Sequence, residues 1–253
     1  MRRLFPFLLV LVSSLMFWFT SCEEVTTQLD IDFGYEYFPQ ETGKFIIYEA
    51  DSVIYDQSGN STVIDTISFQ VLERFMESFE DNSGQTVYRI ERYERPTEND
   101  SWRPKDVWTS QINDLKAERV EENLRFIKLI FPAGPETDPW NGNVFLDETT
   151  VIPIAGESVV VFKNWLYEYV SKDEPYDING MSFDSTLNVL QANEENLIEL
   201  RYSQEIYAKG VGLIYKEMKI LDTQCISLCE GQAWEQKAEK GFTFTMRVIE
   251  HNW

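Results

Sequence analysis

Residues 67–79 read ISFQVLERFMESF, and two periodicities compete in them. Apolar Ile67, Phe69, Val71, Phe75 and Phe79, with polar Ser68, Gln70, Arg74 and Ser78, follow the two-residue repeat of a strand. Val71, Leu72, Phe75, Met76 and Phe79 equally fit one face of a helix. The flanks decide between them. Asp81-Asn82-Ser83-Gly84 has turn composition, and Thr86 to Tyr93 beyond it is again rich in β-formers, so the stretch reads as one arm of a hairpin.

Similar segments recur on both sides: Lys44 to Tyr55, Asp106 to Ile112, Leu124 to Phe131, Val159 to Val170, Ser182 to Leu190, Val211 to Leu221 and Phe242 to Glu250. Turn signals separate them at Gln57-Ser58-Gly59-Asn60, Asn141-Gly142 and Asn179-Gly180. This predicts a mainly β chain of roughly ten strands, mostly antiparallel because the connections are short. One helix is expected over Gln232 to Lys240, closed by Gly241. Gly210 and Gly212, flanking a valine at a strand entry, predict a bulge or a close backbone approach. Residues 33–253 read as a single domain, with the Pro-rich stretch 132–139 as its one weak seam.

The N-terminus reads differently. Arg2 and Arg3 precede an almost wholly apolar run from Leu4 to Phe19, shorter than the roughly 20 residues a spanning helix needs. A basic start, an apolar middle and small residues before a cut describe an export signal, residues 1–21. Phe19-Thr20-Ser21-Cys22 resembles the lipobox of bacterial lipoproteins, in which the cysteine is acylated and becomes the first mature residue. Phe19 departs from the aliphatic residue usual at that position. The resemblance makes Cys22 the expected lipidation site and residues 22–32 a polar tether, and two acyl chains would hold stably where one binds marginally. Uncleaved or differently cleaved leaders are the alternatives.

The formal net charge is −21, and removing residues 1–21 discards two arginines and no acids. Such a field repels nucleic acid and anionic headgroups, and its simplest meaning is a well-solvated surface. Cys225 and Cys229 are expected to pair in an oxidising compartment. Residues four apart on a helix are too far separated for a disulfide, so the bridge predicts a turn at 225–229. A metal site there lacks ligands, since His251 is the lone histidine.

No catalytic residue can be named. His251 sits at the chain end, and zinc-protease, P-loop and EF-hand patterns are missing. Forty-three acids make carboxylate pairs imaginable anywhere, and the sequence selects none. Asp173-Glu174-Pro175-Tyr176-Asp177 and Asn193-Glu194-Glu195-Asn196 read as solvated loops, with calcium a remote alternative. No cofactor is expected. Tryptophans in a β protein are mostly core, and Trp140, in a Pro/Gly-rich loop, is the best candidate for an exposed ligand contact.

Tyr37-Phe38-Pro39, Phe131-Pro132 with Trp140-Asn141-Gly142-Asn143, and Tyr207-Ala208-Lys209-Gly210-Val211-Gly212-Leu213-Ile214-Tyr215-Lys216-Glu217 together resemble uncharacterised lipoproteins of the Bacteroidota. The last segment is similar to one in exported β-rich proteins with an open, curved sheet. The resemblance implies a strongly curved open sheet or half-barrel, and no activity. The anchor, the acidic β domain and the lack of a catalytic set make the leading expectation an outer-membrane lipoprotein of non-enzymatic type, binding a partner protein or ligand. Glu23 and Glu24 resemble the acids that follow the cysteine in surface-exported relatives. The alternatives are a carrier enclosing a lipid or apolar ligand in the curved sheet, and a hydrolase using two carboxylates. Conditional on the same family, Asp65-Thr66-Ile67, Asp184-Ser185-Thr186 and Asp51-Ser52-Val53 resemble O-glycan acceptor triplets. Thr66 ranks first because it should face outward, ahead of Ser185 and of Ser52, which shares the inward side of Ile46, Tyr48, Ala50 and Ile54.

Overall fold

The hairpin at residues 67–93 exists, and its register explains the two periodicities. In this computed structural model, which describes residues 31–59, 61–113 and 115–253, β1 (Phe45–Ser58) pairs with β2 (Ser61–Glu80), and β2 with β3 (Thr86–Arg95). Tyr48 lies opposite Val71 and Ala50 opposite Phe69, on the inner face. Between Phe75 (opposite Ile90) and Ser78 (opposite Tyr88) the β2 arm carries one extra residue. That bulge breaks the alternation where the sequence also fits a helix. Leu72 is buried on the other face, beside Ile47 and Tyr93.

The remaining strands are β4 (Arg103–Ile112), β5 (Lys116–Glu121), β6 (Leu124–Ile130), β7 (Val151–Ile154), β8 (Glu157–Val160), β9 (Glu168–Ile178), β10 (Met181–Glu195), β11 (Glu199–Ala208), β12 (Gly212–Asp222) and β13 (Lys240–His251). Among the described residues, eleven strands form one antiparallel sheet in the order β6-β5-β4-β3-β2-β1-β13-β12-β11-β10-β9, curled into a half-barrel. Two meanders, β1–β6 and β9–β13, therefore meet where the first and last strands pair. The hairpin β7–β8 stands apart, inside the long connection between β6 and β9.

Several expectations are corrected. The segment 159–170 is not one strand: β8 ends at Val160 and β9 starts at Glu168. Asp173 to Asp177 lie within β9, an edge strand, where Pro175 forfeits no ladder bond on the open side. Asn193 to Glu195 close β10. The expected helix over 232–240 shrinks to a single turn, α1 (Trp234–Lys237), because Lys240 already opens β13. Gly241 caps nothing. It sits in the strand with φ 118°, and a Cβ there would meet the Ile220 carbonyl oxygen at 1.9 Å. Gly210 and Gly212 both have positive φ in the β11–β12 hairpin, with a register shift beside them, as their spacing suggested.

The two sheet edges are tied together. Ile127 of β6 donates its N–H to the Gly142 carbonyl (2.8 Å), while Trp140 and Tyr167 exchange both backbone bonds (2.9 and 2.8 Å). The Tyr169 hydroxyl of β9 donates to the Ile130 carbonyl of β6 (2.6 Å). Residues 140–142 thus occupy both free edges, which an open sheet must otherwise protect. The main core fills the curl, with Tyr48, Val71, Leu129, Leu187, Ile214 and Val248 fully buried.

Candidate functional site

The inner face carries charge where a β core normally carries none. Lys216 of β12 follows Ile214 and precedes Met218 and Ile220 on one side of the strand. Glu205 of β11 lies directly opposite it, between Ser203 and Tyr207. Lys128 is the extra residue of a bulge in β6, where Ile127 pairs with Glu118 and Leu129 with Ala117. Glu121 ends β5. The four interlock across the curl: Lys128 Nζ lies 2.6 Å from Glu205 and 3.2 Å from Glu121, and Lys216 Nζ 3.1 and 3.6 Å from the same pair. Beside them Glu73 holds Arg92 at 3.2 Å and Arg119 at 3.3 Å.

A buried ion costs several kcal/mol unless its partners recover that loss. Here they do. Burial alone would raise the carboxyl of Glu121, but Lys128, Lys216 and Arg119 outweigh it and hold the group far below the usual range. Glu205 is likewise lowered: burial opposes, and the two lysines prevail. Burial would lower Lys216, yet Glu121 and Glu205 raise it. Burial pushes the hydroxyls of Tyr48, Tyr167 and Tyr207 well up.

Above this floor lies a cavity of about 260 Å³, walled by apolar groups of both meanders and of the β7–β8 connection, including Phe126, Phe162, Leu213, Met218 and Met246. Four donors on its wall have no hydrogen-bond partner among the described residues: Nε of Arg92 and of Arg119, whose charges are ion-paired, and two neutral ones, the Trp165 indole N–H and the Gln191 carboxamide nitrogen. The two neutral side chains are 3% and 2% exposed. Gln191 accepts from Ser203 through its oxygen at 2.7 Å. A second compartment of about 580 Å³ adjoins the first, sharing Arg92, Glu122, Phe242 and Phe244 with it. The two compartments form one cleft.

Trp140 is not an exposed contact. It is 8% exposed, packs against Tyr167 and Tyr169, and donates its indole N–H to the Ile127 carbonyl at 3.1 Å. Its loop carries the strand-like pairing that joins the sheet edges, which buries it. Cys225 and Cys229 form a disulfide across an irregular turn, Cα atoms 5.6 Å apart. Thr66 is exposed, whereas Ser52 faces inward and lines the second compartment. The Ser185 hydroxyl is 2.7 Å from both Asp173 and the Tyr37 hydroxyl, which burial raises to about 12. Cys22 lies outside the described residues. Among the described residues no helix is long and apolar enough to cross a membrane, and no group of three or more candidate ligands could hold a metal.

Sequence reasoning did not name the ionic floor. The usable signal was parity: Glu73 shares the inward register of Phe69, Val71 and Phe75, and Lys216 that of Ile214 and Met218.

No family model and no curated protein matches this chain. One solved structure is similar, a candidate lipoprotein from Parabacteroides distasonis ATCC 8503, with 11% identity over 88% of this chain and 100% of that one, at a TM-score of 0.42. A likeness that low says nothing of this chain's function.

Proposed function

We propose that the chain is a lipid-anchored envelope protein of binding type, whose curled sheet carries a small apolar ligand. The observation that supports it is the interior cleft, apolar on much of its wall with two unpartnered neutral donors inside. Its compartments, about 260 and 580 Å³, are together of the size that small-molecule sites occupy. Binding is favoured over glycoside hydrolysis because the floor carboxylates are locked by lysines. A general acid needs a raised pKa, and those of Glu121 and Glu205 are lowered. Anchoring rests on Phe19-Thr20-Ser21-Cys22, and outer-membrane placement on the resemblance to Bacteroidota lipoproteins.

The fluorescent probe 1-aminoanthracene tests the cleft, since Trp108 and Trp165 line its inner compartment. Saturable quenching of tryptophan is expected, weakened by about ten-fold or more in Met218→Trp, which fills the cavity. No saturable response in the natural protein would sink the carrier reading. Anchoring is tested separately by intact mass from the native host: acyl mass on a chain beginning at Cys22 is expected, and a lipid-free chain beginning elsewhere would end it.

A further inference from the structure

We infer that the cleft takes a single-chain anionic amphiphile, its head held by Arg95 and Arg103 in the outer compartment and its chain lying inward past Phe242 and Phe244. The inference rests on the reading that the interior binds an apolar ligand, and it adds the chemistry of the other end of that ligand.

The outer compartment inverts the charge of the protein. In a chain of net −21, it is lined by Arg92, Arg95, Arg103 and Lys105 against Glu94 and Glu122. Two of those cations are already ion-paired, Arg92 with Glu73 at 3.2 Å, a carboxylate it shares with Arg119, and Lys105 with Glu94 at 3.3 Å. The other two are not. Arg95 has neutral partners and reaches the notch from the outer face of the sheet, the side of Leu72 and Tyr93: it donates to the Gln70 side-chain oxygen at 2.8 Å and lies 4.2 Å over the Trp102 ring. Arg103 makes no ion pair among the described residues. The backbone explains why they stand in a notch. Residues 61–69 of β2 pair with β1, but β3 joins β2 only from Gln70 onward, where Arg95 is its partner. Past Arg95 the chain turns away at Pro96 and returns at Arg103, opposite Glu94.

Guanidinium groups present a planar fork that matches carboxylate and phosphate oxygens. The inner side of the compartment is apolar, with Ile67, Phe69, Phe242 and Phe244, and Ile67 is 45% exposed there. Further in, every cation that lines the inner compartment among the described residues lies beside a glutamate: Arg92 and Arg119 share Glu73, and Lys216 lies between Glu121 and Glu205. A charged head therefore belongs at the mouth. The neutral donors of Trp165 and Gln191 suit at most a weakly polar group at the far end of the ligand.

The test displaces 1-aminoanthracene from the full mature chain with four probes: dodecanoate, dodecyl phosphate, 1-dodecanol and inorganic phosphate. The two anionic amphiphiles should displace it at about ten-fold lower concentration than dodecanol. That advantage should vanish in Arg95→Gln/Arg103→Gln, with dodecanol and the unfolding midpoint unchanged, and persist in Arg89→Gln on another part of the sheet. Added salt should weaken dodecanoate and leave dodecanol alone, an independent readout if the double variant misfolds. Equal potency of dodecanol and dodecanoate would overturn the head-group assignment while leaving the apolar cavity standing. Displacement by inorganic phosphate as potent as by dodecyl phosphate would overturn the amphiphile in favour of a small-anion site. No displacement by any chain-bearing probe would overturn both readings.

Discussion

The floor and the mouth of the cleft use the same residue types to opposite ends. At the floor, Lys128 and Lys216 alternate with Glu121 and Glu205, each cation within 3.6 Å of both carboxylates. At the mouth, Arg95 and Arg103 line an opening and form no ion pair among the described residues, although Glu94 is the cross-strand neighbour of Arg103. What separates the two regions is the count of partners per charge, together with burial. Charges that satisfy one another hold the two meanders in place. Charges left over at a solvent-facing notch are available to a ligand. Removing a floor charge should therefore damage the fold, and removing a mouth charge should damage recognition alone.

The sharpest test of that division is Glu205→Gln. Glu205 is 0% exposed, and its loss leaves two lysines to share Glu121. Breaking one partner out of a buried ionic set costs about 3–5 kcal/mol, so denaturant unfolding should show a loss in that range. A loss under about 1 kcal/mol would mean the square is ornamental and the comparison fails.

Acid should reach the same square. Glu121 and Glu205 have folded-state pKa values below their unfolded ones. Their stabilisation is thus complete above about pH 4.3 and lost as pH falls through the lowered folded values. At the other extreme, Lys216 and the buried Tyr48, Tyr167 and Tyr207 are raised, so their contribution is complete below about pH 10 and is lost as pH climbs beyond it. Stability measured against pH should form a plateau that drops at both ends. Glu121→Gln should flatten the acid drop; an unchanged acid slope would place the responsible carboxylates elsewhere.

Gly142→Ala examines the seam that closes the curl around both regions. A Cβ at that position would lie 2.3 Å from the Tyr167 ring, against which the Trp140–Gly142 segment packs. Overpacking of this kind costs about 1–3 kcal/mol, readable as a lower unfolding midpoint. An unaffected midpoint would show that the seam is not needed to hold the edges.

Much of this architecture was legible in the sequence, and the unread parts share a cause. Alternation and turn chemistry located the hairpin at residues 67–93 and most of the strands. They failed at Lys116–Glu121, where four of six residues are charged and only Ala117 and Val120 are apolar, and at Asp173–Asp177, whose acids and Pro175 mimic a loop. The Gly241 expectation failed because a glycine after a helix-like stretch looks the same whether it caps the helix or lets a neighbouring carbonyl approach. Trp140 was misplaced because its loop borrows strand pairing from β6 and β9, which are far from it in the sequence or in register. The floor was hidden most deeply. Its members come from β5, β6, β11 and β12; parity marks Glu121, Glu205 and Lys216 as inward without saying which opposite charge each meets, and the β6 bulge hides Lys128 from it.

The disulfide should give the smallest effect on stability, and it separates the mouth end of the sheet from the floor once more. Cys225–Cys229 lies in the β12–β13 connection, beyond Asp222, at the end of the strands where Gly241 and Leu221 pair. Its loop is exposed, with Leu228 91% accessible. Closing so short a loop removes little unfolded-chain entropy, about 2 kcal/mol at most. The floor lies farther along β12, at Lys216, and the mouth arginines lie on β3 and β4. Cys225→Ser/Cys229→Ser should accordingly lower the unfolding midpoint slightly, leave the pH plateau in place, and leave dodecanoate displacement of 1-aminoanthracene unchanged. A loss comparable to that of Glu205→Gln would mean that the mouth end is as much a part of the folding framework as the ionic floor, and the division between the two would have to be abandoned.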